Sequence, residues 1–190
     1  MGHRICPWWL GPLLASPLRR FLYNPENLLS SYVYKGMTVL DIGCGMGFFS
    51  LPLARMVGLA GKVICVDLQE KMIRGLEKRA VKAGLSDRID VRLCRKDKLD
   101  LDDFVGKIDF ALACAIMHEV PDKDRLLSEI YKTMKKDGQL LISEPSGHVG
   151  TAEFESTVQR AQTAGFEPVD RPEMRRSRTI LLRRSTNDPL

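Results

Sequence analysis

The stretch Val39-Leu40-Asp41-Ile42-Gly43-Cys44-Gly45-Met46-Gly47 decides how this chain is read. Thr38 to Ile42 alternates β-branched and apolar residues and carries Asp41 near its end, as a buried strand reaching a sheet edge would. Gly43, Gly45 and Gly47 then alternate, which lets the backbone turn sharply and lets a ligand approach it closely. Phe48 to Val57 has few polar residues and reads as a helix opening on that turn. Twenty residues beyond Gly47, Val63-Ile64-Cys65-Val66-Asp67 repeats the apolar strand followed by a carboxylate. That is a nucleoside-binding layout.

The rest of the chain supplies a matching scaffold. Its 190 residues suit one domain that buries roughly 70% of its unfolded surface. Apolar residues make up 44% and charged residues 28%, which excludes a disordered chain. The net charge of +5 comes partly from Arg171, Arg175, Arg176, Arg178, Arg183 and Arg184. Such a cluster attracts phosphate or anionic lipid, or forms the solvated face of a hairpin, and the hairpin is preferred. The five cysteines (6, 44, 65, 94, 114) contain no CxxC pair, so neither a disulfide framework nor a metal site is expected, and a reducing cytoplasm is. Ile5 to Leu18 behind Arg4 looks superficially like a signal peptide. Trp8, Trp9, Pro7, Pro12 and Pro17, with no small-residue cleavage site, argue against that. The stretch is also too short and too broken by proline to span a bilayer, so no integral membrane segment is expected.

Strands and helices alternate along the chain. A short helix is expected near Pro25, with Asn24 as its N-cap. Strand Thr38–Ile42 leads to helix Gly47–Val57, and strand Lys62–Val66 leads to a helix from Gln69 to about Lys82. That helix sets Met72, Leu76 and Ala80 on one face and ends at Gly84. Strand Ile89–Cys94, a turn near Leu101–Val105 and the continuously apolar strand Ile108–Ala113 follow. A helix from Pro121-Asp122 to about Met134 ends before Asp137-Gly138. Strand Gln139–Ser143, a helix over Thr151–Ala164 and an antiparallel hairpin of Phe166–Asp170 with Arg178–Leu182 complete the order. The expectation is an α/β fold: a Rossmann-like three-layer α/β/α sandwich with a seven-stranded, mostly parallel sheet and an antiparallel C-terminal hairpin. Residues 1–35 are expected as a lid or helical segment packed on the core, 36–184 as the domain, and 185–190 as a tail.

In open parallel sheets ligands bind beyond the carboxyl ends of the strands. Asp67 there suits two hydrogen bonds from a ribose diol. The turn reads DxGxGxG rather than GxGxxG, with an acid two residues ahead of the first glycine and no base. An acid in that place is awkward beside a pyrophosphate and suits an amino group, which favours an amino-acid nucleoside over a dinucleotide.

With these residues in place, the chain resembles the class I S-adenosylmethionine-dependent methyltransferases, of the small type close to the ubiquinone/menaquinone and arsenite methyltransferases. The resemblance covers about Gly36 to Arg183. It rests on Val39–Gly47, Val66-Asp67, Lys96-Asp97, the run Asp109–Pro121 continuing through Asp122, and the terminal hairpin. It implies S-adenosylmethionine as methyl donor and S-adenosylhomocysteine as product. Asp41, Gly43 and Cys44 would hold the methionine part, with Gly45 and Gly47 shaping the turn. Asp67 would take the ribose, with Leu68 and Met72 packing on the adenine. Asp97 would accept from the adenine amino group beside the Lys98 amide, and Cys114 and Ala115 would line the sulfonium side.

On the acceptor side, a base is needed only if the acceptor carries a proton at the moment of attack. His118, Glu119, Glu144 and His148 are the candidates, each weighed against a plain hydrogen-bonding role. The family often carries His-His where this chain has His118-Glu119. Cys44, Cys94 and Cys114 near strand ends would suit a soft acceptor such as trivalent arsenic, against the plainer reading of buried small hydrophobes. A small-molecule acceptor is expected, because the strands carry no long insertion. The alternatives are an RNA or protein methyltransferase using the basic hairpin, or a non-catalytic S-adenosylmethionine-binding module. No Asn-Pro-Pro-Tyr loop follows the fourth strand, and nucleic acid is not expected as a partner.

Overall fold

The structure, a computed structural model, describes residues 6–16 and 24–185. Pro17, Arg19, Arg20 and the tail beyond Ser185 lie outside the described residues. Seven strands form one sheet: β1 (Thr38–Ile42), β2 (Lys62–Asp67), β3 (Ile89–Leu93), β4 (Ile108–Cys114), β5 (Met134–Pro145), β6 (Phe166–Asp170) and β7 (Ser177–Arg184). Their order is β3-β2-β1-β4-β5-β7-β6. β1 pairs with β2, β2 with β3, and β4 with β5 in parallel, while β7 runs antiparallel to both β5 and β6. With its flanking helices this is the Rossmann-like fold expected. The chain divides after Cys94 into two compact units.

Among the described residues, the unit of β1–β3 carries the α-helices α1 (Gly11–Leu14), α2 (Pro25–Leu29), α3 (Ser50–Val57) and α4 (Glu70–Ala83). Asn24 caps α2 as expected, its side chain accepting the Asn27 N–H at 3.2 Å. In β2, Val63 to Val66 are wholly buried, the signature of a parallel strand covered on both faces. α3 buries Leu51, Leu53, Ala54 and Val57. α4 turns Met72, Ile73, Leu76 and Ala80 inward, and burial of the three larger side chains contributes roughly 1.5–3 kcal/mol each. Gly84 ends α4 in the left-handed region at φ 64°, its N–H reaching the Ala80 and Val81 carbonyls.

α3 starts at Ser50 instead of Gly47. Gly43, Gly45 and Gly47 sit at φ 68°, 53° and 82°, and a right-handed helix cannot begin while the backbone is in that region.

The unit of β4–β7 carries α5 (Lys123–Thr133) and α6 (Thr151–Thr163). Ile108 and Phe110 to Ala113 are wholly buried along β4. Asp122 caps α5 by accepting the Arg125 N–H at 3.0 Å. Asp137-Gly138 does not separate α5 from β5 but lies inside β5. The ladder jumps from Ile108–Met134 to Phe110–Gln139, so the extra residues loop out of it. Asp137 takes φ 61°, and a Cβ on Gly138 would meet the Lys135 carbonyl at 2.9 Å. Among the described residues, no helix is long and apolar enough to cross a membrane.

Candidate active site

Two groups of residues gather at the carboxyl ends of the strands, one in each unit. In the unit of β1–β3 the glycine turn is stitched to β2, since the N–H groups of Gly43 and Cys44 both donate to the Val66 carbonyl, at 2.9 and 3.1 Å. Asp67 completes the stitching. Its Oδ2 accepts the Gly45 N–H at 2.9 Å and its Oδ1 the Gln69 N–H at 2.8 Å. One carboxylate thus holds both the turn and the start of α4. An ionised carboxylate offers about four acceptor positions, and with the Leu68 N–H as a third backbone donor about one remains for a ribose hydroxyl. Burial raises the Asp67 pKa, and the N–H donors from Gln69 and Gly45 oppose the rise.

Asp41 is buried at the end of β1 and accepts the Ser50 hydroxyl at 2.6 Å. Desolvation pushes its pKa up to about 7; the Ser50 hydrogen bond lowers it, and the neighbouring Asp67 charge raises it. Ser50 thereby joins the candidate site, and sequence reasoning missed it. Its only signal is a lone hydroxyl at the start of an apolar helix, nine residues after Asp41. Cys44 is buried, and its thiol is pushed well above the ordinary value by a hydrogen bond with Cys65 and then by burial. It is therefore a neutral thiol with no thiolate to offer.

The turn has one filled face and one open face. A Cβ on Gly47 would strike Leu76 Cδ1 at 2.4 Å, whereas a Cβ on Gly45 meets nothing within 4 Å. Leu68 is half-buried at the start of the connection to α4. Met72 is buried and lies with Met46 against the N-terminal segment, where a Cβ on Gly11 would come within 2.9 Å of both sulfur atoms. Gln69 Nε2 donates to the Cys6 carbonyl at 2.8 Å, and an Arg79 Nη donates to the Ala15 carbonyl at 3.0 Å. Lys71 stands 3.9 Å over the Trp8 ring. An amino-acid nucleoside fits this half on three observations: backbone open to approach at Gly45, a spare acceptor position on Asp67, and a buried carboxyl at Asp41 with the Ser50 hydroxyl as donor.

In the unit of β4–β7, Glu144 at the end of β5 is 1% exposed and gathers the second group. Its Oε1 accepts the N–H groups of Ile116 and Met117, at 3.0 and 2.9 Å. Its Oε2 lies 2.5 Å from His118 Nδ1. A carboxylate taking backbone N–H groups acts as acceptor, so Nδ1 is the donor and neutral His118 carries its ring lone pair on Nε2. The Glu144 hydrogen bond raises the His118 pKa above its ordinary 6.5, partial burial opposes this, and the charges of Glu144, Glu119 and Glu153 add to it. Glu119 Oε1 is 3.9 Å from Nε2, and the His148 ring centroid is 6.1 Å from that of His118. All four acceptor-side candidates therefore come together. The loop that carries His118 begins at Ala115, whose φ of 57° is a strained value for a residue with a Cβ. The Ala115 N–H donates to the Ser143 carbonyl at 2.7 Å.

Cys114 is half-buried at the end of β4. Asp97 is exposed in a tight turn, where the Lys98 amide donates to the Arg95 carbonyl at 3.4 Å and the Lys98 ammonium pairs with Asp100 and Asp102. No group of three His, Cys, Asp or Glu side chains among the described residues is arranged to hold a metal ion.

Comparison with known proteins agrees with this architecture. The family model described as "Methyltransferase domain" matches residues 34–172. The ubiquinone/menaquinone biosynthesis C-methyltransferase of Hydrogenovibrio crunogenus is 30% identical over 123 residues, 65% of this chain and 48% of that protein. The arsenite methyltransferase of Aquipseudomonas alcaligenes is 29% identical over 144 residues, 73% of this chain and 42% of that protein. A solved S-adenosylmethionine-dependent methyltransferase from Aquifex aeolicus is 26% identical, with a TM-score of 0.85 over 95% of this chain and all of that one. The chain belongs to the methyltransferase domain family of S-adenosylmethionine-dependent enzymes. It spans about half the length of the curated relatives it matches.

Proposed function

We propose that this chain transfers a methyl group from S-adenosylmethionine to a small-molecule acceptor that loses a proton from the attacked atom, with His118 as the base. The observation that carries this reading is the His118 Nδ1 to Glu144 Oε2 contact of 2.5 Å, with Glu144 itself held by two backbone N–H groups. Glu144 fixes the tautomer and steadies the imidazolium once the proton arrives. Nε2 is the atom that takes the proton, and Glu119 beside it favours the charged form. His148 is the neighbouring ring that bounds the acceptor. When bound, the donor supplies an activated methyl on a sulfonium, so the protein's own work is to position, desolvate and deprotonate.

On the donor side, the Asp41 carboxylate would take the amino group, Asp67 the ribose and the Gly43–Gly47 backbone the methionine part. Leu68 and Met72 would border the adenine. Asp97, Lys98, Cys114 and Ala115 keep the donor roles that the resemblance implies, and residues 1–35 that of a lid. The relatives described as acting in ubiquinone/menaquinone biosynthesis and on arsenite support a small acceptor. The neutral Cys44 thiol favours an organic acceptor over arsenic.

Tritiated-methyl transfer into a size-sorted cell extract tests the proposal. Label should enter the small-molecule fraction, and His118→Ala should lose about 10²–10⁴-fold in turnover with donor affinity kept. Full turnover in that variant would remove His118 as the base, and label confined to RNA or protein would overturn the acceptor class.

A further inference from the structure

A cavity of about 570 Å³ opens in the unit of β4–β7, between the start of α6 and the connection from β6 to β7. Thr151 and Phe154 line it from α6, and Arg171, Met174, Arg175 and Arg178 from the other side. We infer that this cavity holds an oxyanionic group, a carboxylate or phosphate, carried by the methyl acceptor. The inference rests on the small-molecule reading above and names the chemical class of that molecule.

The charge in the cavity is unevenly spent. Arg171 is committed to Glu155 by two parallel hydrogen bonds of 2.7 Å. Arg178 bonds only neutral groups: Nη1 donates to the carbonyls of Ser146 and Val149, and Nε and Nη2 donate to Thr151 Oγ1. A guanidinium carries five N–H groups, so one on Nη2 is left over, and no carboxylate among the described residues forms an ion pair with it. Thr151 accepts twice from Arg178, which leaves its hydroxyl hydrogen free to donate outward. Arg175 has no hydrogen-bond or ion-pair partner among the described residues. Against these stands Glu173. The 13-residue α6 begins without a side-chain cap, so its positive end adds to the same cavity. Two cations, a hydroxyl and a helix start thus face one carboxylate, and the balance favours an anion.

The same bonds tie the cavity to the loop that carries His148. Arg178 grips the carbonyls of Ser146 and Val149, on either side of the loop that carries His148. Ser146 in turn donates from its N–H to the Arg176 carbonyl at 2.9 Å, holding the β6–β7 connection in place. Met174 packs against the Ser143 hydroxyl at 3.3 Å, next to Glu144. An acceptor anchored by its anionic end at Arg175 and Arg178 would extend past His148 towards His118.

The test is a titration with inorganic phosphate, and in parallel with acetate, at constant ionic strength, read from the arginine Nε–H resonances. Saturable shifts at Arg175 and Arg178, absent from the exposed Arg74 and weakened at least fivefold in Arg175→Gln, are expected with one or both anions. Phosphate saturating alone assigns a phosphate, and acetate saturating alone a carboxylate. Shifts that do not saturate, that Arg74 shares, or that Arg175→Gln leaves unchanged would overturn the inference. Calorimetry with S-adenosylmethionine on the same sample keeps the two readings apart. Donor binding without anion binding sinks the inference and leaves the methyl-transfer reading standing; anion binding without donor binding sinks the methyl-transfer reading and, with it, the assignment of the anion to a methyl acceptor.

Discussion

Asp41 and His118 are both residues whose protonation the fold sets, and each predicts a pH response. Asp41 is raised from 3.8 to about 7, so the unfolded chain ionises it where the folded chain does not. Its contribution to stability is complete below pH 3.8 and lost as pH rises to about 7. Three units correspond to at most roughly 4 kcal/mol. Asp41→Asn should therefore unfold at higher urea concentration than the parent at pH 7.5, with the gap closing near pH 4, while losing donor affinity. Equal midpoints at pH 7.5 would refute the buried, costly carboxyl. His118 is raised above 6.5, so its charge adds stability that is complete below that value and lost as pH climbs past the folded pKa. As a base it must be neutral, so turnover should rise with pH through the same range. Glu144→Gln removes the largest cause of the shift, and the rising limb should move to lower pH. A limb that stays in place would show that another group titrates there.

At the scale of elements, the glycine turn joining β1 to α3 separates two roles. Gly45 and Gly47 both hold left-handed φ values, 53° and 82°, so alanine costs about 1 kcal/mol or more at either. At Gly47 the added methyl also drives into Leu76 on α4, and overpacking typically adds about 1–3 kcal/mol. Gly47→Ala should then be the less stable variant in thermal melts. Gly45→Ala should be the milder one in stability, yet lose donor affinity in calorimetry because its methyl fills the open face. The reverse ranking would place the open face elsewhere. α3 and β5 show how local pattern misleads about boundaries: an apolar run hid the late helix start, and Asp137-Gly138 signalled a turn that the ladder absorbs as a bulge.

Across the whole molecule, the glycine-turn residues proposed to bind the donor belong to the unit of β1–β3, and the His118–Glu144 pair and the arginine-lined cavity to the unit of β4–β7. The N-terminal segment belongs with the first. It packs on Met46 and Met72 and takes hydrogen bonds from Gln69 and Arg79. Removing residues 1–20 should lower the melting temperature by roughly 5–10 °C, since a few kcal/mol shift a chain of this size by 2–4 °C each. It should also weaken donor binding, because Met46 and Met72 lose their cover. Unchanged melting together with unchanged donor binding would show the segment to be dispensable.

Much of this was legible from the chain by itself. Strand and helix order, the Asn24 cap, the antiparallel hairpin, and the pairing of a glycine turn with Asp41 and Asp67 all follow from local periodicity, or from backbone angles that glycine adopts most easily. These are properties of short stretches, and short stretches carry them. Only the tertiary structure joined His118 to Glu144 across 26 residues and put Ser50 on Asp41. Only it left Arg178, in a cavity at the start of α6, with the neutral carbonyls that flank His148 as partners. Burial and hydrogen-bond partnership depend on segments brought together by the sheet, and no local pattern encodes which of several titratable residues will meet.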